Sequence, residues 1–330
     1  MRYHGMQAPA ALHDTIQGFW YTSIDFDGLP AGFEIVPDGS AEIIFHFGRP
    51  CRIAGPGGGQ PLPSPFLMGL LDQPVLLHGE GELHIIGVKC FPWTVFDLLG
   101  LPADGGGVRT FAHPIAGLQP VLAELIRLDR VEEALAQVQG YFLEARPGLS
   151  TDRTLTKAGG AMRAAGGTLP VSQVAAAAHA TVRTLERKFK QAAGHTVKDV
   201  SGLLRFEQVR NHLWRQPEAS LAALAHELGY TDQSHLSREF KRYSGTTPAA
   251  FAREARQRQQ AVGEQHRAER EQGQIVQDGR GRGRYGGHRK PRWLSSHSML
   301  YQITAFLLDI VAGLLGGACL LRLYMQYHRV

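Results

Sequence analysis

Two segments of the chain place cationic and hydrogen-bonding side chains along one face of a predicted helix. They are Arg183, Glu186, Arg187 and Lys190 in the first segment, and Ser234, Ser237, Arg238 and Lys241 in the second. Both sets follow the i, i+3, i+4, i+7 spacing of neighbours on a helix surface. An α-helix fits the major groove of DNA, where arginine can hold guanine, glutamate can accept from cytosine and serine can reach several base edges. The spacing therefore predicts two helices that can read DNA.

The opposite side of each predicted helix carries an apolar pair. Leu185 and Phe189 are four residues apart, and so are Leu236 and Phe240. Residues at i and i+4 share one face of a helix, so each pair is expected to point into a core. This arrangement would turn both polar stripes outward.

These helices belong to an internal repeat. Residues 174–178, followed by Thr181, recur fifty positions later as residues 224–228, followed by Thr231. Each copy is predicted to be a short helix, a tight turn and a second helix. Because Thr181 and Thr231 each precede a second helix, both are expected to cap it.

The tight turn has a different residue in each copy. Gly229 supplies the turn of the second copy, where glycine is well suited to a sharp bend. His179 occupies the corresponding place in the first copy, where a residue with a β-carbon must adopt a positive φ angle or reshape the turn. The first unit could therefore sit differently from the second.

The sequence AHELGYTDQSHLSREFKRYSGTTP at 225–248, followed by Phe251, resembles the C-terminal unit of AraC/XylS-type regulators, and residues 171–210 resemble the first unit. The resemblance implies two helix-turn-helix units joined by a long helix at about 197–214, with their reading helices in successive major grooves on one face of double-stranded DNA. On this basis base or backbone contact is assigned to Arg183, Glu186, Arg187, Ser234, His235, Ser237 and Arg238, and Lys190 and Lys241 complete the predicted DNA-binding set.

A single polar stripe of this kind is more often a solvated helix face than a binding surface. Two copies in the same register favour DNA binding instead, because residues 151–255 carry 15 basic and 9 acidic side chains. Individual arginines and lysines can still contact phosphate rather than bases.

The composition is that of a folded protein with more than one domain. The chain has 330 residues, of which 43% are hydrophobic and 20% charged. Residues 1–150 carry 8 basic and 16 acidic side chains, whereas the remainder is basic. Only the second part is therefore expected to meet a polyanion. The three cysteines are far apart and predict neither a disulfide framework nor a CxxC metal site.

The first part of the chain is predicted to be rich in β-strands. Residues 42–47 alternate as in a half-buried strand, and residues 37–39 have the chemistry of a turn. The predicted core face of the strand consists of Ile43, Phe45 and Phe47. Helices are expected at 93–99 and 118–144.

Residues 36–47, 87–92 and 98–102 resemble a domain found ahead of such DNA-binding units. The resemblance implies a cupin-like β-structure that binds a small-molecule effector or forms a homodimer. The predicted fold class is therefore α+β, with a cupin-like domain at 1–148 and an all-α double helix-turn-helix domain at 149–255.

Four polar residues of the first part raise a second hypothesis. Histidine and carboxylate groups on neighbouring strands can bind a metal ion, and Glu42, His46, His78 and His84 are candidates. Their spacing is not diagnostic, and ordinary polar side chains at strand ends explain them equally well. We therefore predict that the protein is not an enzyme and needs no cofactor. The alternative is a metal-dependent cupin-like enzyme with an accessory DNA-binding domain.

The C-terminal end has a different character. Residues 256–298 are basic and nearly free of large apolar side chains, which predicts a disordered linker. Residues 303–321 are apolar and have about the length that crosses a bilayer, so a transmembrane segment is predicted within 299–330. That segment resembles the start of a YGGT-family membrane protein. Positive charge before it favours a cytoplasmic DNA-binding part, tethered to the inner membrane by 303–321.

Two hypotheses account for this C-terminal end. The protein is a membrane-tethered regulator, or the end is an accidental read-through that joins two neighbouring genes. An immunoblot of the native protein distinguishes them, because a tethered regulator is expected at full length in the membrane fraction. A soluble product that ends near residue 260 would contradict the tether.

Overall fold

The computed structural model describes residues 2–260, except 29–31, 55–58, 60, 104–106, 146–150 and 258. A β-rich N-terminal domain is followed by an all-helical domain, as the sequence predicts.

The predicted linker and transmembrane segment begin at the edge of the part that the structure describes. Residues 256–257 continue a helix, so the linker does not begin at residue 256 as predicted. Positions 259–260 are also helical. The rest of the predicted linker and the whole segment at 299–330 lie outside the described residues. Among the residues that are described, no helix combines the length and the apolar character needed to cross a membrane.

The strands of the described residues form two antiparallel sheets. In chain order they are β1 (Tyr3–Gln7), β2 (Ile16–Asp25), β3 (Phe33–Ile35), β4 (Ala41–Gly48), β5 (Arg52–Ile53), β6 (Phe66–Met68), β7 (Val75–His78), β8 (Glu82–Cys90) and β9 (Val108–Thr110). The larger sheet has the order β1-β2-β8-β4-β6-β9, and the smaller sheet has the order β3-β7-β5. Strands that are distant in the sequence therefore become neighbours.

The α-helices follow mainly after the strands. They are α1 (Val95–Leu98), α2 (Gln119–Arg127), α3 (Val131–Ala145), α4 (Arg153–Ala164), α5 (Val171–Ala177), α6 (Val182–Ala193), α7 (Val197–Arg215), α8 (Leu221–Glu227), α9 (Gln233–Ser244) and α10 (248–257). The helix predicted at 118–144 is two helices, because the chain turns at Asp129, which has a φ of 58°. The long helix predicted at about 197–214 is confirmed as α7.

Strand β4 is buried on both faces. The alternation predicted for it is confirmed, because its core face packs with α2 and α3 in one apolar cluster. This face consists of Ile43, Phe45 and Phe47. The opposite face carries Glu42, Ile44 and His46, and it borders a cavity between the two sheets rather than solvent. The prediction of a half-buried strand was therefore wrong for this second face.

An aromatic side chain of the β-rich domain is part of the core of the helical domain. Trp93 stacks on Phe91 with a ring-centroid distance of 5.2 Å and lies 5.7 Å from the ring of Phe189 in α6. Its indole also covers Gly159 of α4, where a β-carbon would lie 1.9 Å from Cζ2 of the indole. The indole thus packs against α4 and α6 together.

A turn of the β-rich domain packs against α7. The turn predicted at 37–39 is confirmed, because the N–H of Ser40 donates to Oδ1 of Asp38 at 2.9 Å. The N–H of Gly39 donates to Oε1 of Glu207 at 3.2 Å, and Arg210 donates to the Pro37 carbonyl at 3.4 Å. Two residues of α7 are therefore bonded directly to the backbone of this turn.

The Trp93 contact predicts different outcomes for two adjacent glycines of α4. Gly159→Ala is expected to lower the free energy of unfolding by about 1–3 kcal/mol, because the new methyl group collides with the indole of Trp93. Gly160→Ala is the matched control, because a β-carbon there meets no atom within 4 Å. It is expected to stabilise the helix by about 0.5–1 kcal/mol. Denaturant unfolding of both variants checks this, and equal stabilities would contradict the packing of Trp93 on α4.

Candidate nucleic-acid interface and ligand cavity

The two helix-turn-helix copies make the same backbone contact at the turn. The N–H of Ala180 donates to the Ala175 carbonyl at 2.9 Å, and the N–H of Tyr230 donates to the Ala225 carbonyl at 2.9 Å. Donor and acceptor are each displaced by fifty positions between the copies. The repeat seen in the sequence is therefore a repeat of structure, and both copies position a second helix in the same way.

The residue at the bend has a left-handed backbone in both copies. Gly229 has a φ of 71°, and His179 has a φ of 52°. His179 therefore adopts the positive φ angle and does not reshape the turn. A residue with a β-carbon is disfavoured in this conformation by about 1–2 kcal/mol, so the first copy keeps the turn at some cost in stability.

Side-chain caps fix the start of each reading helix. Oγ1 of Thr181 accepts from the N–H of Thr184 at 3.1 Å, which confirms the predicted cap of α6. The predicted Thr231 cap of α9 was wrong, because Oδ1 of Asp232 accepts from the N–H of His235 at 2.7 Å instead. The copies are offset by 50 positions at Ala175 and Ala225 but by 51 at Leu185 and Leu236, so the second copy has one extra residue, which moves the start of its helix by one position.

The apolar pairs point into the core, as predicted. Leu185 and Phe189 of α6 are completely buried, and Leu236 and Phe240 of α9 are buried to the same degree. The ring of Phe240 lies 5.1 Å from that of Phe206 in α7. Both reading helices thus have one face in the core of the helical domain, and α7 contributes to that core.

The polar stripes of α6 and α9 face outward. Six of the nine predicted DNA-binding residues are exposed: Arg183, Arg187, Lys190, Ser234, Arg238 and Lys241. The other three, Glu186, His235 and Ser237, are half-buried. The first set is available to a partner without any rearrangement of the helical domain.

Two of the predicted residues on α6 also serve the ends of helices. Oε2 of Glu186 accepts from the N–H of Val197 at 3.2 Å, at the start of α7. Nζ of Lys190 donates to the Gly194 carbonyl at 2.9 Å, just after α6. Both bonds satisfy backbone groups that a helix terminus leaves without partners. Arg183 and Arg187 form no ion pair with any residue that the structure describes, so they are the freer cations of this stripe.

The second reading helix is fixed to α7 by an ion pair that the sequence analysis missed. Arg205 of α7 donates to Glu239 of α9 at 3.3 Å, and its guanidinium lies 5.2 Å from the ring centre of Tyr230. His235 meets the same Tyr230 ring edge-on at 5.3 Å. Because Arg205 and Glu239 are 34 positions apart, helical spacing within one segment gives no signal for their ion pair.

An apolar residue at the start of α6 is exposed and was also missed. Val182 keeps 43% of its surface accessible, although most large apolar side chains of this domain are buried. Residues at the N-terminal end of a reading helix approach base edges, where an apolar side chain can contact the methyl group of thymine. Val182 precedes Leu185 by three positions and Phe189 by seven, which is the spacing of the buried face, so periodicity gave no signal that it is exposed.

A cavity of about 120 Å³ lies between the two sheets of the β-rich domain. Its walls are mostly apolar and aromatic, and its charged lining residues are Glu34, Asp38, Glu42, Lys89 and Arg210. Arg210 belongs to α7, so the helical domain contributes part of the wall.

The charged side of the cavity is held together by buried ion pairing. Lys89 contacts Asp38 at 2.7 Å. Burial favours the neutral form of Asp38, but the charge and hydrogen bond of Lys89, with the charge of Arg210, hold the pKa of Asp38 below its usual value. Burial raises the pKa of Glu42 to about 7, and it also raises the pKa of Glu207 on α7. Burial thus favours the neutral forms of Glu42 and Glu207, whereas Lys89 and Arg210 favour the ionised form of Asp38.

The four residues considered for a metal site do not come together. Glu42 and His46 line the cavity. His84 lies on the opposite face of the sheet, where its Nδ1 is hydrogen-bonded to the Tyr21 hydroxyl at 2.8 Å. His78 lies on β7 of the smaller sheet. Within the part of the chain that the structure describes, no group of three or more potential ligands is arranged to hold a metal ion.

Comparison with protein families assigns both parts of the chain. Residues 174–254 match the family described as a helix-turn-helix domain, and residues 4–105 match a domain of unknown function, DUF6597. The helical part is therefore a helix-turn-helix domain. Its two helix-turn-helix copies, its family match and its curated relatives together make it a domain of the AraC/XylS type.

The chain is similar to known regulators over different shares of its length. It is 37% identical to the HTH-type transcriptional activator RhaS of Escherichia coli K12 over 68 residues, which are 21% of this chain and 24% of the relative. The chain thus spans about a quarter of the length of the curated relatives it matches. An AraC-type transcriptional regulator from Chromobacterium violaceum is 25% identical with a TM-score of 0.29, over 31% of this chain and 91% of the other. ToxT from Vibrio cholerae is 10% identical with a TM-score of 0.39, and the match covers 76% of this chain and 96% of ToxT.

The Arg205–Glu239 contact predicts a specific loss of stability. Arg205→Ala is expected to lower the free energy of unfolding of the helical domain by about 3 kcal/mol, because it leaves a largely buried carboxylate without its partner. Arg215→Ala is the control on the same helix, because Arg215 is exposed and its removal should change stability by less than about 0.5 kcal/mol. Calorimetric unfolding of both variants checks this. Equal effects would show that the ion pair does not hold α9 against α7.

Proposed function

We propose that this chain is a sequence-specific, DNA-binding transcription regulator. The observation that carries the proposal is that the same outward-facing polar stripe occurs twice, on two structural copies packed against α7. An isolated stripe is explained by solvation, but a duplicated one on a helix-turn-helix domain fits the recognition of two segments of a duplex. We place the regulator in the cytoplasm, where its DNA would be.

In this proposal the two helices divide the contacts between them. Arg183, Arg187 and Arg238 are the side chains best suited to bidentate contact with guanine, because they are exposed. Lys190 and Lys241 would contact phosphate, and Val182 would contact a thymine methyl group. The remaining proposed contacts are the half-buried or hydroxyl-bearing residues Glu186, Ser234, His235 and Ser237.

The two units are proposed to read successive major grooves on one face of the duplex. Helix-turn-helix units in that arrangement bind sites whose centres lie about 34–36 Å apart, which is one turn of DNA. The support is that α6 and α9 both pack on α7, which spans 19 residues. At 1.5 Å per residue such a helix is about 28 Å long, which is close to the separation required.

The β-rich domain is proposed to be a cupin-like domain that binds a small-molecule effector, with domains at 1–148 and 149–255. The cavity of about 120 Å³ is comparable with the roughly 150 Å³ cavity that accommodates a benzene molecule. Mostly apolar walls with a few polar groups are typical of small-molecule sites. Dimerisation through the same domain remains a prediction.

The effector is proposed to act through α7. Arg210 of this helix lines the cavity, and Glu207 binds the backbone of the turn at Gly39. A ligand that contacts Arg210 or displaces this turn therefore has a direct route to the helix that supports both reading helices. It would shift the regulator only if it binds one arrangement of α7 more tightly than the other.

Selection of bound fragments from randomised duplexes, using the full chain, tests the proposal. We expect an enriched site with two blocks of preferred sequence centred about 10 base pairs apart. Arg187→Ala is expected to remove preference in one block and Arg238→Ala in the other, each weakening specific binding by about 1–3 kcal/mol. Neither variant should change the melting temperature by much, because both side chains are exposed.

Arg127→Ala is the matched control for these variants. Arg127 is an exposed arginine of α2, paired with Glu124 in the β-rich domain, so its removal should leave both blocks intact. If the wild-type chain enriches no sequence, or if both blocks survive both reading-helix substitutions, the proposed recognition is wrong.

A further inference from the structure

Arg210 of α7 lines the cavity and makes little use of its hydrogen-bond donors. The side chain is buried, with 6% of the residue accessible. Its guanidinium donates to the Pro37 carbonyl at 3.4 Å, which is longer than usual and is its one hydrogen bond to a residue that the structure describes. Its Nε is buried without an acceptor. Buried polar groups are normally hydrogen-bonded, so this guanidinium has donors to offer to a ligand.

The positive charge of Arg210, by contrast, is compensated. The charges of Glu207 and Asp38 oppose the lowering of its pKa by burial. Both carboxyl groups act through their charge, without a hydrogen bond to the guanidinium. Arg210 therefore lacks a hydrogen-bond acceptor rather than a counter-ion.

The other charged residues of the lining have partners too. Lys89 contacts Asp38 at 2.7 Å. The charge of Lys89 also acts on Glu42, and Glu42 interacts with the side chain of Trp20. Glu34 has an interaction partner as well. None of these side chains offers a ligand a charge that is without compensation.

A second arginine adjoins the same cluster. Arg163 of α4 interacts with the charges of Glu207 and Asp38, which oppose the lowering of its pKa by burial. A ligand with a net charge would thus place a further ion in a poorly solvated space, where the existing ions already compensate one another. Such a step is costly, because a buried charge needs a close partner of opposite sign. The cavity therefore favours an uncharged ligand.

The cavity is polar at one end and apolar along the rest of its wall. Glu42 and Lys89 are cross-strand neighbours at the polar end, next to the turn that packs on α7. Further along the same face of the sheet, the wall is formed by Ile44, by Ile85 and by Phe66, which is paired with Ile44. A ligand with one polar group and an apolar body thus fits with its polar group toward α7.

We propose that the cavity binds a small uncharged carbonyl compound, whose oxygen accepts hydrogen bonds from Arg210 and whose apolar or aromatic body lies along Ile44, Ile85 and Phe66. A neutral carbonyl oxygen supplies an acceptor and no net charge, which is what Arg210 lacks. This inference rests on the proposed effector-binding role of the β-rich domain and names the chemical class of the effector. Because Arg210 belongs to α7, such a ligand contacts the β-rich domain and the helical domain together.

A set of probes with nearly the same size and shape tests this proposal on the full chain by isothermal titration calorimetry. The probes are acetophenone, α-methylstyrene, benzoate and benzamidinium. All carry a phenyl ring, and the substituent on the ring is a carbonyl group, an alkene, an anion or a cation, respectively. We expect acetophenone to bind at least about tenfold more tightly than α-methylstyrene, which has no acceptor, and at least about tenfold more tightly than either ion.

Variants assign the effect to Arg210. Arg210→Met removes the donors, so it is expected to weaken binding of acetophenone by about tenfold and to leave the affinity for α-methylstyrene unchanged. Arg215→Met is the control, because Arg215 is an exposed arginine of the same helix that does not line the cavity. The wild-type comparison of the probes stands even if Arg210→Met fails to fold.

Three outcomes would overturn the proposal: equal affinities for acetophenone and α-methylstyrene, tighter binding of benzoate or benzamidinium, or no binding of any probe. Each of them leaves the DNA-binding proposal intact, because the duplex selection needs no ligand. Conversely, a chain that selects no DNA sequence can still show the expected order of probe affinities.

Discussion

A charge buried between two domains needs a partner of opposite sign, and the contact between the two domains of this protein depends on that rule. Lys89 is paired with Asp38 on the β-rich side, and Glu207 and Arg210 face the same place from α7. Each of these groups interacts with at least two charges of opposite sign, so removing one weakens the compensation of the others. The turn at 37–39 and the middle of α7 are therefore held in one arrangement by electrostatics as well as by packing, and the charge state of this cluster affects both domains.

Helix α7 contacts both the cavity and the core beneath α9 through residues one turn apart, and the guanidinium of Arg210 lies 5.5 Å from the ring centre of Phe206. Phe206 packs on Phe240 of α9, while Arg210, one turn later, lines the cavity. Leu204 meets the turn of the β-rich domain, where a β-carbon on Gly39 would lie 2.8 Å from its Cδ2. Close-packed interiors transmit small displacements rather than absorbing them. A movement of the turn therefore reaches the core that supports α9 through one continuous helix.

The sequence predicted those features whose signal is local. The apolar pair Leu185 and Phe189, the length of α7 and the alternation of β4 follow from periodicity within one segment, and all are confirmed. Local chemistry was ambiguous at the cap of α9, where Thr231 and Asp232 are adjacent and both are good caps. The cavity has no local signal, because its walls come from strands that are not consecutive. Arg210 lies 173 positions from Pro37, the residue it bonds, so no spacing rule connects them.

The two reading helices are attached to the β-rich domain to different degrees. Helix α6 touches it directly, since Phe189 packs on Trp93 at 5.7 Å. Helix α9 is bonded to α7 through Arg205 and Glu239, and its ion pair from Arg242 to Asp72, at 3.8 Å, joins two exposed side chains and contributes little. On the proposed function, a displacement at the domain boundary would move α6 and α9 by unequal amounts. Because DNA presents its major grooves at a fixed repeat, a change in the relative position of the two helices weakens simultaneous binding without altering either helix. Regulation of this kind requires only that the boundary be movable and that the two attachments differ.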